Sequence, residues 1–360
     1  IQFAHRTFKW SNEARGKAAV HCVIIGFSCN ELKNPRLFLY DDYDGNPSEI
    51  SAGTINAYLM DAPELLIIRR SHPLCDVPEI NKGSEATDFG HLFLEPDEQR
   101  LLLANYPQTK EWLRRVYGAD EFINNIERWC LWLADVSPEK IRSVPPVMER
   151  IEQVRKDRLA SDKIRTKEWA NKPSLFTEIR QPLKTYLAVP KVSSEKRTYL
   201  PIGFMGPSNI ATGSLQVISD ASLLHFGVLS SAMHAAWMRY TGGRMKSDYQ
   251  YSNTIVYNNF PWPDAPSDKQ RAAIEAAAQA VLDARAAFPD STLADLYDPV
   301  TMPPPLVKAH QALDRAVDAA YGKRSCASDA ERVAFLGERY QSLTSLLPST
   351  TKPRRRKHFS

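Results

Sequence analysis

The stretch "RTFKWSNEARGKAAVHCVIIGF", residues 6–27, decides the fold at the start of this chain. Both alternate sets of side chains over 18–27 are mostly apolar, which is typical of a strand covered on both faces. A polar link with one glycine, over 11–17, separates this run from a first strand over 1–8. We therefore predict a long-loop β-hairpin. Because a lone hairpin is marginal in water, it must pair with further strands.

Composition excludes several classes of protein. A chain of 360 residues that is 43% apolar can form two or three compact units. Its five cysteines are odd in number and show no CxxC spacing, so we expect reduced thiols and no metal site. No apolar run reaches the roughly 20 residues that span a bilayer, and the start does not resemble a signal peptide. We expect a cytoplasmic protein without a membrane partner. Its start at Ile1 instead of Met favours a piece of something longer.

Positive charge is concentrated in the middle of the chain. The formal net charge is only +4, but residues 140–200 contain 15 Lys and Arg against 7 Asp and Glu. A basic stretch of this kind suits a polyanion such as DNA. Scattered charges on a solvated face explain the same count.

Apolar periodicity predicts a mixed middle and a helical end. The predicted extended segments are 36–41, 54–60, 185–189, 199–204, 215–218 and 253–263. The predicted helices are 96–103, 109–117, 147–169, 221–240, 268–288, 305–321 and 333–347.

Sequence motifs that define an active site by themselves are absent. There is no GxGxxG opening a helix, Walker loop, HExxH or GxSxG. What the chain does have is an aromatic-ended hairpin, a basic middle and the aromatic segment "SDYQYSNTIVYNNFPWP" (247–263). Aromatic faces stack on bases, and Lys and Arg neutralise phosphates, so this combination indicates a protein that handles a nucleotide base outside the duplex. For any single ring, a place in the hydrophobic core is the alternative.

Long segments spread over nearly the whole chain carry a family resemblance. They are "FAHRTFKWSNEARGKAAVHCVIIGF" (3–27), "INAYLMDAPELLIIRR" (55–70), "FINNIERWCLWL" (122–133), "PKVSSEKRTYLPIGF" (190–204), "DASLLHFGVLSSAMHAAWMR" (220–239), "KSDYQYSNTIVYNNFPWP" (246–263) and "YDPVTMPPPLVKAHQALDRAVDAAYG" (297–322). In this order they resemble the MmeI-like, type IIL restriction–modification enzymes. The first segment is similar to the closing hairpin of the methyltransferase domain in that family.

The resemblance implies an α+β chain with four parts. These are the C-terminal end of a class I S-adenosylmethionine-dependent methyltransferase domain with its terminal β-hairpin (1–70), a mixed α/β DNA target recognition domain (71–263), a helical C-terminal unit (264–348) and a basic flexible tail (349–360). The family's Gly-rich S-adenosylmethionine motif and its Asn-Pro-Pro-Tyr/Phe catalytic motif are absent from this sequence. The cofactor would therefore be bound by an upstream region, and we expect the chain alone to be inactive. Its partners would be double-stranded DNA and the upstream methyltransferase and possible nuclease regions.

The resemblance also implies roles for individual residues. Phe8, with Trp10 as second choice, would stack on an adenine extruded for N6 methylation. Glu195 would accept from a cytosine amino group and Arg197 would contact guanine, on one side of an extended stretch; a surface β-turn is the alternative for this stretch. Residues near the target-strand phosphates would be Lys9, Asn12, Arg15 and Lys17, and neighbours of the base readers would be Lys191, Ser193 and Lys196. Backbone contacts independent of sequence would come from Arg150, Arg155, Lys156, Arg158, Arg165 and Lys167, with Arg244, Lys246, Tyr249 and Tyr251 as weaker candidates.

Two other functions stay open on the sequence. One is a DNA-binding specificity module that works with a separate catalytic subunit. The other is a protein–protein scaffold built on the helical C-terminal third, for which the basic excess would be incidental.

Overall fold

The computed structural model describes residues 1–10, 20–30, 34–40, 44–62, 64–245, 247–323, 326 and 328–345. The strands are β1 (Phe3–Trp10), β2 (Val20–Gly26), β3 (Arg36–Leu39), β4 (Ser48–Ser51), β5 (Ile80–Lys82), β6 (Phe93–Leu94), β7 (Leu113–Tyr117), β8 (Trp129–Leu131), β9 (Tyr186–Pro190), β10 (Val192–Ser193), β11 (Gly203–Met205), β12 (Ile210–Ala211), β13 (Leu215–Ser219), β14 (Gly243–Met245) and β15 (Asp248–Gln250). The helices are α1 (Pro96–Asn105), α2 (Ala119–Asn124), α3 (Pro138–Arg142), α4 (Pro145–Ala160), α5 (Ile164–Glu168), α6 (Leu223–Leu229), α7 (Ala232–Thr241), α8 (Asp268–Ala286), α9 (Leu293–Leu296), α10 (Pro304–Ala320) and α11 (Asp329–Thr344).

The opening hairpin lies in a mixed four-stranded sheet of order β2-β1-β3-β4. Strand β1 pairs antiparallel with β2 and parallel with β3, so the predicted pairing with further strands is confirmed. The expectation that β2 is covered on both faces is wrong for this chain, because β2 is the outermost described strand and Val20, Val23 and Ile25 are exposed. The predicted link over 11–17 lies outside the described residues.

Three further sheets build the middle of the chain. One is an antiparallel sheet of order β11-β9-β13-β5, and a second sheet, of order β12-β7-β8-β6, packs against α4 in a core of its own. A small antiparallel sheet of order β10-β15-β14 joins two segments far apart in sequence, 192–193 and 243–250.

One hydrophobic core joins the middle and the end of the chain, running from Leu65 to Tyr340. Helix α6 meets α8 at Gly227, where an added Cβ would lie 2.7 Å from Ile274 Cγ2. The C-terminal helices therefore pack directly against the middle of the chain. No helix among the described residues is both long and apolar enough to cross a membrane.

Several predicted elements are wrong, each for a local reason. Helix 109–117 is instead a 3₁₀ turn followed by β7, because pairing with β8 overrides the helix propensity of its residues. The segment 253–263 is not extended: Asn253–Tyr257 forms a π-helical turn, in which Ser252 Oγ accepts from Ile255 N. Predicted helix 221–240 is broken at Ser230–Ser231, helix 147–169 ends at Ala160, and segment 54–60 contributes only one isolated bridge.

Candidate nucleic-acid interface

The predicted base-stacking residues lie on β1. The register of β1 against β2 shifts between His5 and Phe8, and such bulges re-aim side chains. The Phe8 ring stacks on Tyr40 with centroids 5.1 Å apart and planes 20° apart, so one of its faces is covered. Trp10, whose ring centroid lies 6.3 Å from that of Phe8, is 53% exposed. The strand thus presents a cluster of rings at its C-terminal end.

Of the residues predicted to lie near the target-strand phosphates, only Lys9 is among the described residues, and it lies on β1 and not in the loop. Its Nζ lies 3.0 Å from Asp44 Oδ2, and both side chains are well exposed. An ion pair this exposed contributes at most about 1 kcal/mol and can be exchanged for a phosphate. Asn12, Arg15 and Lys17 lie outside the described residues.

The predicted base readers lie in a β-turn, Ser194–Arg197, closed by a hydrogen bond of 3.2 Å from Arg197 N to Ser194 O. The prediction that these residues lie in an extended stretch is therefore wrong. The alternation of side chains along a strand cannot place Glu195 and Arg197 on the same side. Arg197 Nη1 donates to Ser193 Oγ at 3.5 Å, and burial lowers the pKa of Arg197, although a guanidinium stays protonated. Ser193 is buried beneath the turn, which is inconsistent with contact to DNA. Lys196 is exposed at the tip of the turn, and Lys191 is half-buried before it.

The hairpin of β14 and β15 lies beside this turn. Arg244 Nη1 is 3.3 Å from Glu195 Oε2 and donates to Ser247 O at 2.8 Å. The guanidinium lies 4.2 Å from the centre of the Tyr249 ring. Tyr249 and Tyr251 are both buried, and the Tyr251 hydroxyl is hydrogen-bonded to His234, so neither ring is free to meet DNA. Lys246 lies outside the described residues.

A cleft of about 630 Å³ lies next to these elements. Val192 of β10 and Met245 of β14 line one part of it, so the small sheet borders the cleft. Loops 84–88, 118–121 and 212–214 line the rest.

The predicted backbone-binding cations separate into two groups. Arg158 is fully buried, and its guanidinium donates to five backbone carbonyls, so the expectation that it contacts DNA is wrong. Arg150 donates to the carbonyls of His91 and Phe93 and pairs with Glu98, which gives it a structural role. The exposed group is Arg155, Lys156, Arg165 and Lys167.

Sequence reasoning missed three partners in these clusters. Tyr40 stacks on Phe8, and Asp44 pairs with Lys9. Arg244 contacts Glu195, although the sequence indicated it only as a weaker candidate for contact with the DNA backbone. No local pattern announces these contacts, because each joins residues at least 32 positions apart.

Comparisons with known proteins identify the family of this chain. Three family models match the chain: the MmeI DNA-methyltransferase domain over 1–39, the MmeI target recognition domain over 61–264 and the MmeI C-terminal domain over 266–348. The matches therefore define the chain as the end of an MmeI-type methyltransferase domain followed by a target recognition domain and a C-terminal domain. The target recognition model covers more than half of the chain, which therefore belongs to the MmeI family.

Two relatives extend along almost the whole chain. It is 36% identical over 344 residues to "DNA methyltransferase A" of Bacillus subtilis (strain 168), covering 96% of this chain and 38% of the relative. A solved structure of the type IIL restriction–modification enzyme MmeI in complex with DNA is 45% identical, with a TM-score of 0.92 over 96% of this chain and 46% of that one. The chain spans less than half the length of either.

Proposed function

We propose that this chain reads DNA for a site-specific adenine-N6 methyltransferase of a restriction–modification system. The observation that carries the proposal is the similarity of the whole chain, from opening sheet to C-terminal helices, to an MmeI enzyme solved with DNA. In this proposal residues 1–70 end the methyltransferase domain, 71–263 recognise the target, and 264–348 brace the recognition part.

Base recognition falls to the turn that carries Glu195 and Arg197. A carboxylate accepts from the amino group of cytosine, and a guanidinium donates to the acceptors of guanine. Lys191 and Lys196 flank the turn as phosphate anchors. The exposed cations Arg155, Lys156, Arg165 and Lys167 supply contacts that do not depend on sequence, so affinity should fall with salt.

Methylation of a base inside a duplex requires that the base leave the stack. The ring cluster on β1 offers a face for the extruded adenine at Phe8 or Trp10. Lys9, with Asn12, Arg15 and Lys17 of the following loop, would lie near the target-strand phosphates. S-adenosylmethionine would supply the methyl group, but this sequence lacks the family's Gly-rich motif, so none of its residues is assigned to the cofactor.

The test is methylation by the full-length protein that contains this chain. Loss of one stacking face costs about 1–3 kcal/mol, so Phe8→Ala should slow turnover about 5- to 150-fold. Binding to a duplex that contains the site should change much less. Modification is measured on the duplex by single-turnover kinetics, and Phe8→Trp, which keeps a stacking face, is the matched control.

Unchanged turnover in Phe8→Ala would indicate that Trp10, and not Phe8, stacks on the base. Turnover of Trp10→Ala is then measured. If both variants methylate normally, the ring cluster does not hold the base. If the protein binds a specific site but methylates only after a second protein is added, the chain is a specificity module for a separate catalytic subunit.

A further inference from the structure

We propose that Arg244 positions the Glu195 carboxylate for base recognition, so that turn 194–197 and hairpin 243–250 act as one specificity unit. The inference rests on the proposed function and adds a second segment to it. It assigns Arg244 to positioning and not to backbone contact.

The sheet register brings the two segments together. Ser193 is paired with Tyr249, and Tyr249 is paired with Arg244, so these three residues form one row across β10, β15 and β14. Directly paired residues project from the same face of an antiparallel sheet. Arg244 therefore reaches along that face to Glu195, two residues beyond Ser193, and the two oppositely charged groups meet at 3.3 Å.

The guanidinium of Arg244 is held on three sides. It donates to Ser247 O at 2.8 Å, lies over the Tyr249 ring at 4.2 Å and pairs with Glu195. Its side chain is 27% exposed and that of Glu195 is 15% exposed, so the pair is partly removed from water. Charge-assisted bonds of this kind are stronger than neutral ones and fix geometry.

The geometry leaves one oxygen for a base. Arg244 engages Oε2 of Glu195, and no described residue donates to Oε1. Without a cation beside it, a carboxylate near DNA would be repelled by the phosphates and would rotate among its rotamers. Arg244 neutralises the charge and restricts the rotation, and such preorganisation increases discrimination.

Burial lowers the pKa of Arg197 in the turn, and the carboxylates of Asp248 in the hairpin and of Asp298 oppose that shift. Replacing the turn alone would leave Arg244 of the hairpin without the carboxylate that it contacts.

The experiment measures base discrimination by the full-length protein that contains this chain. Methylation rates are compared on duplexes that carry each of the four base pairs at every position of the site. In Arg244→Gln the preference at one position should fall at least about fivefold, with other positions unaffected, and Glu195→Gln should relax the same position. Arg244→Lys should keep part of the preference. Arg180→Gln, which breaks an ion pair with Glu178 away from the hairpin, should leave every position unchanged.

Each result separates the two proposals. If the unmodified protein methylates no specific site, the proposed function fails. If Glu195→Gln relaxes one position while Arg244→Gln relaxes none, or slows all duplexes equally, Arg244 has only a structural role and the inference fails alone. If neither variant changes discrimination, the turn is not the reader, and the inference fails with it.

Discussion

The side chain of Arg158 is buried, and backbone carbonyls surround its guanidinium group. Nε donates to Thr87 O at 3.0 Å, and Nη1 and Nη2 donate to four further carbonyls, two of them Ala86 O and Leu175 O, both at 2.8 Å. The residue thus ties helix α4 to the loops on either side of it. Thr87 has a φ of 46°, a conformation costly for a β-branched residue, and Arg158 helps to hold it there.

Replacing Arg158 should therefore damage the fold and not the binding of DNA. We expect Arg158→Met to reduce the free energy of unfolding by about 3–5 kcal/mol, because buried carbonyls lose their donors. Urea unfolding followed by tryptophan fluorescence measures the change. On the same helix, Arg155→Ala removes an exposed pair with Glu152 and should cost less than about 1 kcal/mol. Equal losses in the two variants would contradict this role for Arg158.

The sequence could have distinguished the buried Arg158 from the exposed Arg155. The buried positions of α4 are Val147, Ile151, Val154 and Arg158, in steps of four, three and four. Arg158 continues the apolar stripe, and Arg155 does not. The count of basic residues over 140–200 hid this difference. The five acceptors could not be predicted, because they come from loops distant in sequence.

Helices α7 and α10 each place a histidine in the shared core. His234 Nε2 is 2.9 Å from the Tyr251 hydroxyl, and His310 Nε2 is 2.9 Å from the Tyr297 hydroxyl. Burial lowers the pKa of each histidine to about 3. Both imidazoles are therefore neutral in the folded chain at any pH above that value.

This burial should make the fold sensitive to acid. The folded pKa lies below the ordinary value of about 6.5, so the unfolded chain takes up protons first as the pH falls below 6.5. Stability is complete above pH 6.5, and each histidine removes about 1.4 kcal/mol per pH unit below it. Urea midpoints at pH 7.5 and 5.5 measure the loss.

A variant isolates the histidine contribution. Asp314, whose pKa is raised by burial, acts in the opposite direction at low pH, so His234→Asn is compared with the parent chain at each pH. The variant should lose less stability than the parent between pH 7.5 and 5.5. Parallel curves would show that His234 does not titrate on unfolding.

The helices and strands differed in how well sequence predicted them. The ends of α8 and α10 lie within two residues of those predicted from apolar spacing, whereas α11 begins four residues before the predicted start at 333 and ends three residues before 347. Strands of two or three residues, such as β10 and β12, are too short to show periodicity, and their partners alone define them. Turn 194–197 and the hairpin of β14 and β15 belong to this second group.

Across the whole molecule, the last turn of α7 joins the opening sheet to the segment beside turn 194–197. The Arg6 guanidinium lies 4.9 Å from the centre of the Tyr240 ring, and Nη1 donates to its hydroxyl at 3.3 Å. The neighbouring Arg239 donates to Thr198 O at 2.8 Å, one residue beyond the turn. The strand with Phe8 and the turn with Glu195 are therefore held by consecutive residues of one helix.

Breaking this join should reduce turnover more than binding. In the full-length protein we expect Arg6→Ala and Tyr240→Ala each to slow methylation several-fold, with a double variant no worse than either single one, because both remove the same contact. Single-turnover methylation and duplex affinity measure the two effects. Arg36→Ala, which removes an exposed pair with Glu49 in the same sheet, is the control. Additive losses would show that the two residues act separately.

The exposed edge of strand β2 bears on how this polypeptide behaves in solution by itself. Its outer backbone amides and carbonyls face no described strand, and Val20, Val23, Ile24 and Ile25 lie exposed along it. An apolar, unprotected border of this kind is a template for joining a second copy through new main-chain bonds. We therefore expect this polypeptide to self-associate as its concentration rises, and we expect Val23→Lys to suppress the association. Light scattering over a dilution series measures both.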